Sequence, residues 1–189
     1  KEHAKAVVDL GKAIELSPQN RDLYLRRGIG HMQMLRINEA LADIEQVALL
    51  STVEEMEQIR TELVSPVPSQ WFENLSSGVR QAAAGLLPRL EERLLKRGEA
   101  LLKDGDWEQV KAVFDRARVV APGSWRPLLG LAVVWAHRQE WEYAAHLLVQ
   151  AIDRGLKKRE SIEASPHFES LRGRVEYEQV KARLSQMRD

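Results

Sequence analysis

Five histidines are the side chains of this sequence best suited to bind a metal ion or to transfer a proton. They are His3, His31, His137, His146 and His167. None of them belongs to an HExxH pattern or to another close ligand spacing. We predict that His137 and His146 lie on different helices and different faces, and we interpret each histidine as packed or solvated. The sequence therefore predicts neither a metal site nor a cofactor.

The sequence also shows no pattern typical of a catalytic nucleophile or of a catalytic acid–base pair. The chain has no cysteine, which excludes disulfides, thiolate metal sites and a cysteine nucleophile. Its carboxylates stand in charged runs such as 91–97, where glutamates alternate with lysine and arginine as on a solvated helix face. The glycines of 28–30 lie inside a helical pattern, which is the wrong context for a phosphate-binding loop. We predict a protein that is not an enzyme.

Charge and hydropathy narrow the classes of partner. Among 189 residues, Lys+Arg and Asp+Glu are equal at 28 each, so no net field attracts nucleic acid or an anionic membrane. Hydrophobic residues make up 44%, which is typical of a folded chain, and no run of about 18 apolar residues predicts a spanning helix. The absence of cysteine fits a reducing compartment, and we expect a cytoplasmic location.

The elements that must position these side chains are amphipathic helices. Apolar residues at helical spacing predict helices over 2–16, 21–35, 39–50, 53–64, 70–87, 89–103, 107–120, 125–138, 141–154, 166–171 and 175–187. Asn38 and Asp106 are expected to be N-caps, Gly105 a C-cap, and Pro88 a separator of two helices. Gly28, in mid-helix, predicts that a neighbouring helix crosses closely there.

The helices repeat with a fixed period. Trp107 and Trp141 have the same separation along the chain as the pairs Phe114–Leu148, Ala117–Ala151 and Gly98–Ala132. Gly28 and Gly98 are separated by two such periods plus two positions. The period is about 34 residues, a length that is typical of stacked helical arrays.

The stretch 51–88 is irregular, and two interpretations stay open. It is a degenerate repeat with two extra residues near its Pro-rich turn at 65–69, or a linker between two shorter modules. Trp71 and Phe72 follow that turn. They form either a buried wedge or an exposed patch for binding or self-association.

The repeated positions resemble those of the tetratricopeptide repeat, a helix–turn–helix unit of this length. The residues that follow its pattern most closely are Leu94, Gly98, Leu101, Trp107, Val110, Phe114, Ala117 and Pro122. The resemblance implies an all-α, right-handed superhelical solenoid of antiparallel helix pairs over 1–158 and a C-terminal cap with a capping helix over 159–189. The array divides into a half repeat at 1–20, repeats at 21–54, 91–124 and 125–158, and the degenerate one at 55–90. The half repeat suggests a fragment of a larger chain.

The resemblance also implies a concave groove lined by the first helix of each pair. The residues that it places there for binding a partner are Leu25, Arg26, Ile29 and Gln33, then Leu95, Lys96, Glu99 and Lys103, then Arg126, Leu129, Val133 and His137. Three leucines would form an apolar row flanked by basic residues, suited to an extended segment with an apolar anchor and an acidic group. Ordinary packing and solvated charge is the alternative explanation.

Three functional hypotheses follow. The first is a non-enzymatic scaffold that holds a peptide or helix of a partner protein in the groove. The second is a regulatory or sensor segment of a larger enzyme such as a kinase. The third is self-assembly as a homo-oligomer through the uncapped N-terminal helix.

Overall fold

The computed structural model describes residues 2–64 and 77–186, and within these ranges the chain is helical and without strands. The helices are α1 (Glu2–Leu16), α2 (Arg21–Gln33), α3 (Ile37–Leu50), α4 (Val53–Val64), α5 (Ser77–Ala84), α6 (Leu87–Asp104), α7 (Trp107–Val120), α8 (Arg126–His137), α9 (Trp141–Asp153), α10 (Glu160–Glu163), α11 (Glu169–Arg172) and α12 (Tyr177–Gln186). A 3-10 turn, Pro166–Phe168, precedes α11. The all-α prediction is confirmed. The Pro-rich turn and the Trp71–Phe72 pair lie outside the described residues.

The chain forms two compact units. The N-terminal unit comprises Lys1–Leu94 with Val119–Ala121, and the C-terminal unit comprises Leu95–Arg118 with Pro122–Asp189. The boundaries fall within α6 and α7. No helix of the described part is both long and apolar enough to cross a bilayer.

In the N-terminal unit consecutive helices pack side by side: α1 on α2, α2 on α3, and α4 on α5. α3 buries residues three and four apart, including Ala40, Ile44 and Val47, which form the apolar stripe of an amphipathic helix. Gly28 of α2 faces this helix. A methyl group added at Gly28 would lie 3.2 Å from the Cβ of Asp43, so the predicted close crossing is confirmed.

The predicted starts of α3, α6 and α12 are each wrong by two residues, and α12 begins at Tyr177. α3 begins at Ile37, with Arg36 in the cap position, so Asn38 does not cap it. The Asn38 side chain instead accepts a hydrogen bond from Arg89 Nη2 at 2.8 Å, a partner 51 residues away that local sequence cannot reveal. α6 begins at Leu87, before Pro88, because proline is tolerated in the first turn, where its missing N–H has no helical partner anyway.

Side chains satisfy the helix ends that sequence identified correctly. The Oδ1 atom of Asp106 accepts from the backbone N–H of Gln109 at 3.1 Å, which confirms Asp106 as the N-cap of α7. A reciprocal capping box opens α4: Thr52 N–H donates to Glu55 Oε2 at 2.8 Å, and Glu55 N–H donates to Thr52 Oγ1 at 3.2 Å.

The C-terminal unit is built around α8 and α9, which pack on each other, with α12 packed on α9. The ring of Phe114 is held between two glycines of neighbouring helices. A methyl group at Gly98 would lie 2.7 Å from the ring, and one at Gly130 would lie 2.5 Å from it. Small residues are therefore required at these positions because the aromatic side chain fills the space between the helices.

The helices keep the spacing of the sequence pattern. α7 and α9 begin at Trp107 and Trp141, one period apart. The backbone has a positive φ at Leu35 (57°), Gly105 (76°) and Gln139 (63°), each in the turn that joins a helix pair. Gly105 and Gln139 are one period apart, and Leu35 and Gly105 have the same separation as Gly28 and Gly98. The left-handed turn residue thus recurs with the repeat.

Replacing Leu35 with glycine should raise the free energy of unfolding by about 0.5 kcal/mol. Relief of the left-handed strain contributes about 1–2 kcal/mol, and the greater freedom of glycine in the unfolded chain removes about 0.5–1 kcal/mol of it. Urea denaturation measures the change. Arg36→Gly is the matched control: its φ of −86° carries no such strain, so it should only destabilise. A loss of stability in both variants would contradict the prediction.

Candidate functional site

A cavity of about 370 Å³ lies in the C-terminal unit, where the end of α8 and the beginnings of α7 and α9 meet the segment that follows α10. Its walls are formed by Leu102, Trp107, Val133, Ala136, His137, Gln139, Trp141, Pro166, His167 and Ser170. Two of the residues predicted to bind a partner, Val133 and His137, are among them.

One wall is a stacked pair of rings. The indole of Trp107, the first residue of α7, lies against the imidazole of His137, the last residue of α8. Their centroids are 3.7 Å apart and their planes differ by 12°. Since stacking fixes both rings and His137 remains exposed, the pair offers a preformed aromatic surface to the cavity.

A second wall is the indole of Trp141, at the start of α9. The guanidinium carbon of Arg174 lies 4.1 Å from the centroid of this ring, a cation–π contact that covers one of its faces. The positive φ of Gln139 reverses the chain between α8 and α9 and brings Gln139 and Trp141 to the same cavity. Both tryptophans are only half-buried.

The third wall comes from residues 166–170, which one arginine and one phenylalanine hold in place. Arg172 donates to the carbonyl oxygens of Ser165, at 2.9 Å, and of Glu163. Phe168 is completely buried, so its ring anchors the segment while the flanking His167 remains exposed at the cavity.

The polar groups of the lining have a common character. No residue that lines the cavity is Asp, Glu, Lys or Arg. The indole N–H groups and the Gln139 amide donate hydrogen bonds, and the hydroxyl of Ser170 and the imidazoles of His137 and His167 can donate as well. The same amide, hydroxyl and imidazoles can also accept, so the distinguishing feature of the lining is an apolar surface with donors and without a carboxylate that would repel an anionic ligand.

The N-terminal unit has a smaller cleft, of about 100 Å³, between α2 and α4. Predicted groove residue Leu25 lines it together with Arg21, Asp22, Glu55, Gln58, Ile59 and Glu62. Arg21 Nη1 pairs with Glu55 at 2.6 Å. The hydrogen bond from the Thr52 backbone and this arginine lower the pKa of Glu55. The cleft is narrow, and its only arginine is already paired.

The predicted groove residues differ in exposure. Leu25 and Leu95 are only 3% and 2% exposed, so the two leucines offer almost no surface to a partner. The exposed residues of the set are Arg26, Lys96, Glu99, Lys103 and His137, the half-buried ones are Ile29, Gln33, Arg126 and Leu129, and Val133 is buried.

Several wall residues are not predicted by the sequence to contribute to a site. The repeat pattern assigns Trp107 and Trp141 to packing, and it leaves Gln139, Pro166, His167 and Ser170 to turns or to the cap. The sequence does contain one signal for this site. The second helix of each of two helix pairs, α7 and α9, begins with a tryptophan. As predicted, His137 and His146 lie on different helices, α8 and α9. They also line different cavities.

The described residues contain no cluster of His, Asp and Glu able to hold a metal ion.

α1 leaves Val8 and Leu16 exposed, and self-association through this helix stays a prediction. Comparison of the chain with protein-family models and with curated proteins finds no match.

Proposed function

We propose that the chain is a protein-interaction module built as a tetratricopeptide-like array of helix pairs, acting by binding and not by catalysis. Three features support the array: consecutive helices pack in pairs, α7 and α9 begin one period apart, and the left-handed turn residue recurs at Gly105 and Gln139. Arrays of this kind present surfaces that bind extended segments of other proteins.

The observation that carries the binding proposal is the aromatic cavity of the C-terminal unit. It is lined by Val133 and His137 of a first helix, which the resemblance assigned to partner binding, and by two tryptophans. Tryptophan is enriched among the residues that dominate interface energetics because it buries a large area at low entropic cost.

The ligand that fits is an extended peptide segment of a partner protein with an apolar side chain beside a carboxylate. The apolar side chain would lie against Trp107 and Trp141, which are half-buried and thus accessible. The carboxylate and the peptide carbonyls would accept from the Gln139 amide, the indole N–H groups and the imidazoles. No acidic residue in the lining opposes such a group.

Selection of a random peptide library on the immobilised protein tests the proposal. We expect enriched peptides to share an aliphatic or aromatic residue next to aspartate or glutamate. In fluorescence anisotropy, His137→Asp and His167→Asp should each raise the dissociation constant about ten-fold, because a carboxylate replaces a donor. Both positions are exposed, so the fold should persist, and thermal melting checks it.

His3→Asp is the matched control, since the same change is made at an exposed residue of α1, in the other unit. It should leave the dissociation constant unchanged. Enriched peptides without the shared feature, or an equal affinity for wild type and both cavity variants, would refute the assignment of the cavity.

A further inference from the structure

A second concavity of the C-terminal unit, of about 690 Å³, is independent of the aromatic cavity in its residues. It lies between α9 and the beginning of α12, and its lining is Glu140, Glu142, Tyr143, Ala145, His146, Val175, Glu176 and Gln179. Residues 139–142, where the chain enters α9, alternate between the two sites. Gln139 and Trp141 line the aromatic cavity, and Glu140 and Glu142 line this groove.

The groove exposes two large apolar side chains. Val175 is 78% exposed and Tyr143 is 46% exposed, although both stand beside well-packed helices. The Tyr143 ring is held at its edge by Trp135, with centroids 4.9 Å apart and planes at 72°. A fixed aromatic ring and an exposed aliphatic side chain in one concavity are features of a surface that a partner covers.

The charge of the groove indicates the class of partner that it would bind. Its lining contains three carboxylates and no lysine or arginine. Within the described part of the chain, no ion pair involves Glu140, Glu142 or Glu176, whereas Glu108 pairs with Arg138 and Glu163 with Arg159. Three carboxylates and no lysine or arginine in the lining of a concavity favour a cationic partner over nucleic acid or anionic lipid.

His146, which also lines the groove, has a hydrogen-bond partner. Its Nε2 atom lies 2.7 Å from the side-chain nitrogen of Gln150. The contact joins residues four positions apart in α9, so this imidazole nitrogen already has a partner within its own helix.

We propose that the groove between α9 and α12 is a docking surface for a basic segment of a partner protein. An aliphatic side chain of that segment packs against Tyr143 and Val175, and its lysines or arginines pair with the three glutamates. The ligand is opposite in charge to the one proposed for the aromatic cavity, so the module binds two segments at two sites.

The test uses a short fluorescein-labelled peptide of alternating lysine, leucine and serine, and a twin with glutamate in place of lysine. We expect anisotropy to show binding of the lysine peptide only, weakened by added salt. The triple variant Glu140→Gln, Glu142→Gln, Glu176→Gln should raise the dissociation constant about ten-fold, because three charge pairs with the peptide are lost. Val175→Ser should raise it as well. Glutamine keeps the size of the side chain, and circular dichroism checks the helices.

Glu15→Gln and Val8→Ser are the matched controls, because both residues are exposed on α1 of the other unit. Equal binding of the two peptides, or unchanged binding in the groove variants, would overturn the proposal. A doubled mass in light scattering without peptide, reduced to a monomer by Val175→Ser, would assign the groove to a second copy and also overturn it. His137→Asp should leave the lysine peptide bound, so failure here is distinguishable from failure of the aromatic cavity.

Discussion

Gly130→Ala is expected to lower the free energy of unfolding by about 3 kcal/mol, the upper end of the usual cost of overpacking a core. The added methyl carbon would lie 2.5 Å from Phe114 Cζ and 2.6 Å from the two Cε atoms. The ring cannot retreat, because a methyl group at Gly98 would already lie 2.7 Å from its other side. Phe114 is buried, so the strain falls on helices that are packed against each other.

Chemical denaturation of Gly130→Ala, Gly123→Ala, Phe114→Leu and the Phe114→Leu/Gly130→Ala double variant tests whether the ring is the cause. Gly123→Ala is the control, since a Cβ at that position meets nothing within 4 Å and the change should be close to neutral. Phe114→Leu combined with Gly130→Ala should be more stable than the sum of the two single changes predicts, because the smaller side chain makes room for the methyl group. Strict additivity, or equal costs at Gly123 and Gly130, would show that the ring is not the obstacle.

The repeat period and the apolar spacing are enough to predict most helices of the described part. α1, α4 and α7 have the predicted bounds, and α8 and α9 differ from them by at most one residue at either end. The agreement has a physical basis: an amphipathic helix must bury one stripe, so residues such as Ala40, Ile44 and Val47 reveal both the element and its inner face. Gly28 reveals a close crossing because a glycine in mid-helix is unfavourable unless a neighbouring helix leaves no room for a side chain.

For Asn38, a residue distant in sequence decides the outcome. The residue type of Asn38 predicts a cap, but Arg89, from another helix, supplies its hydrogen-bond partner. The resemblance places Leu25 and Leu95 on the groove face, which indicates where the two side chains point but not how much of each is covered by its neighbours. Both are buried.

The candidate sites are harder to foresee because they combine segments without a common period. For the aromatic cavity, the resemblance predicts Val133 and His137 as binding residues. The position of His167 depends on Arg172 holding the carbonyl oxygen of Ser165 and on the buried Phe168, and these contacts belong to no repeat. The acidic groove joins α9 with the start of α12, so its charge and its apolar surface are separated in the sequence and adjacent only after folding.

Asp43→Ala is the second change with a large expected effect, a loss of about 3 kcal/mol in the free energy of unfolding. Asp43 of α3 is only 3% exposed, and its oxygens accept from Arg27 Nε at 3.2 and 3.0 Å and from Arg27 Nη2 at 2.6 Å. The hydrogen bonds to Asp43 raise the pKa of Arg27, which therefore stays charged. Alanine would leave a partly buried guanidinium without its carboxylate, and nearby His31 would lose its neighbouring charge at 3.7 Å.

Two further variants distinguish the effect of burying the Arg27–Asp43 pair from the effect of the ion pair itself. One removes an exposed ion pair, and the other removes both charges of the buried pair. Glu178→Ala removes the partner of Lys181, at 2.7 Å in a pair whose two side chains are 52% and 62% exposed, and should cost about 1 kcal/mol at most because water solvates the remaining charge. Arg27→Met combined with Asp43→Leu should recover most of the stability, since no unpaired charge is then left between α2 and α3. If Asp43→Ala cost no more than Glu178→Ala, the burial of the Arg27–Asp43 pair would contribute nothing to stability. If the double variant were less stable than Asp43→Ala, the ion pair itself, and not the stranded guanidinium, would hold α2 to α3.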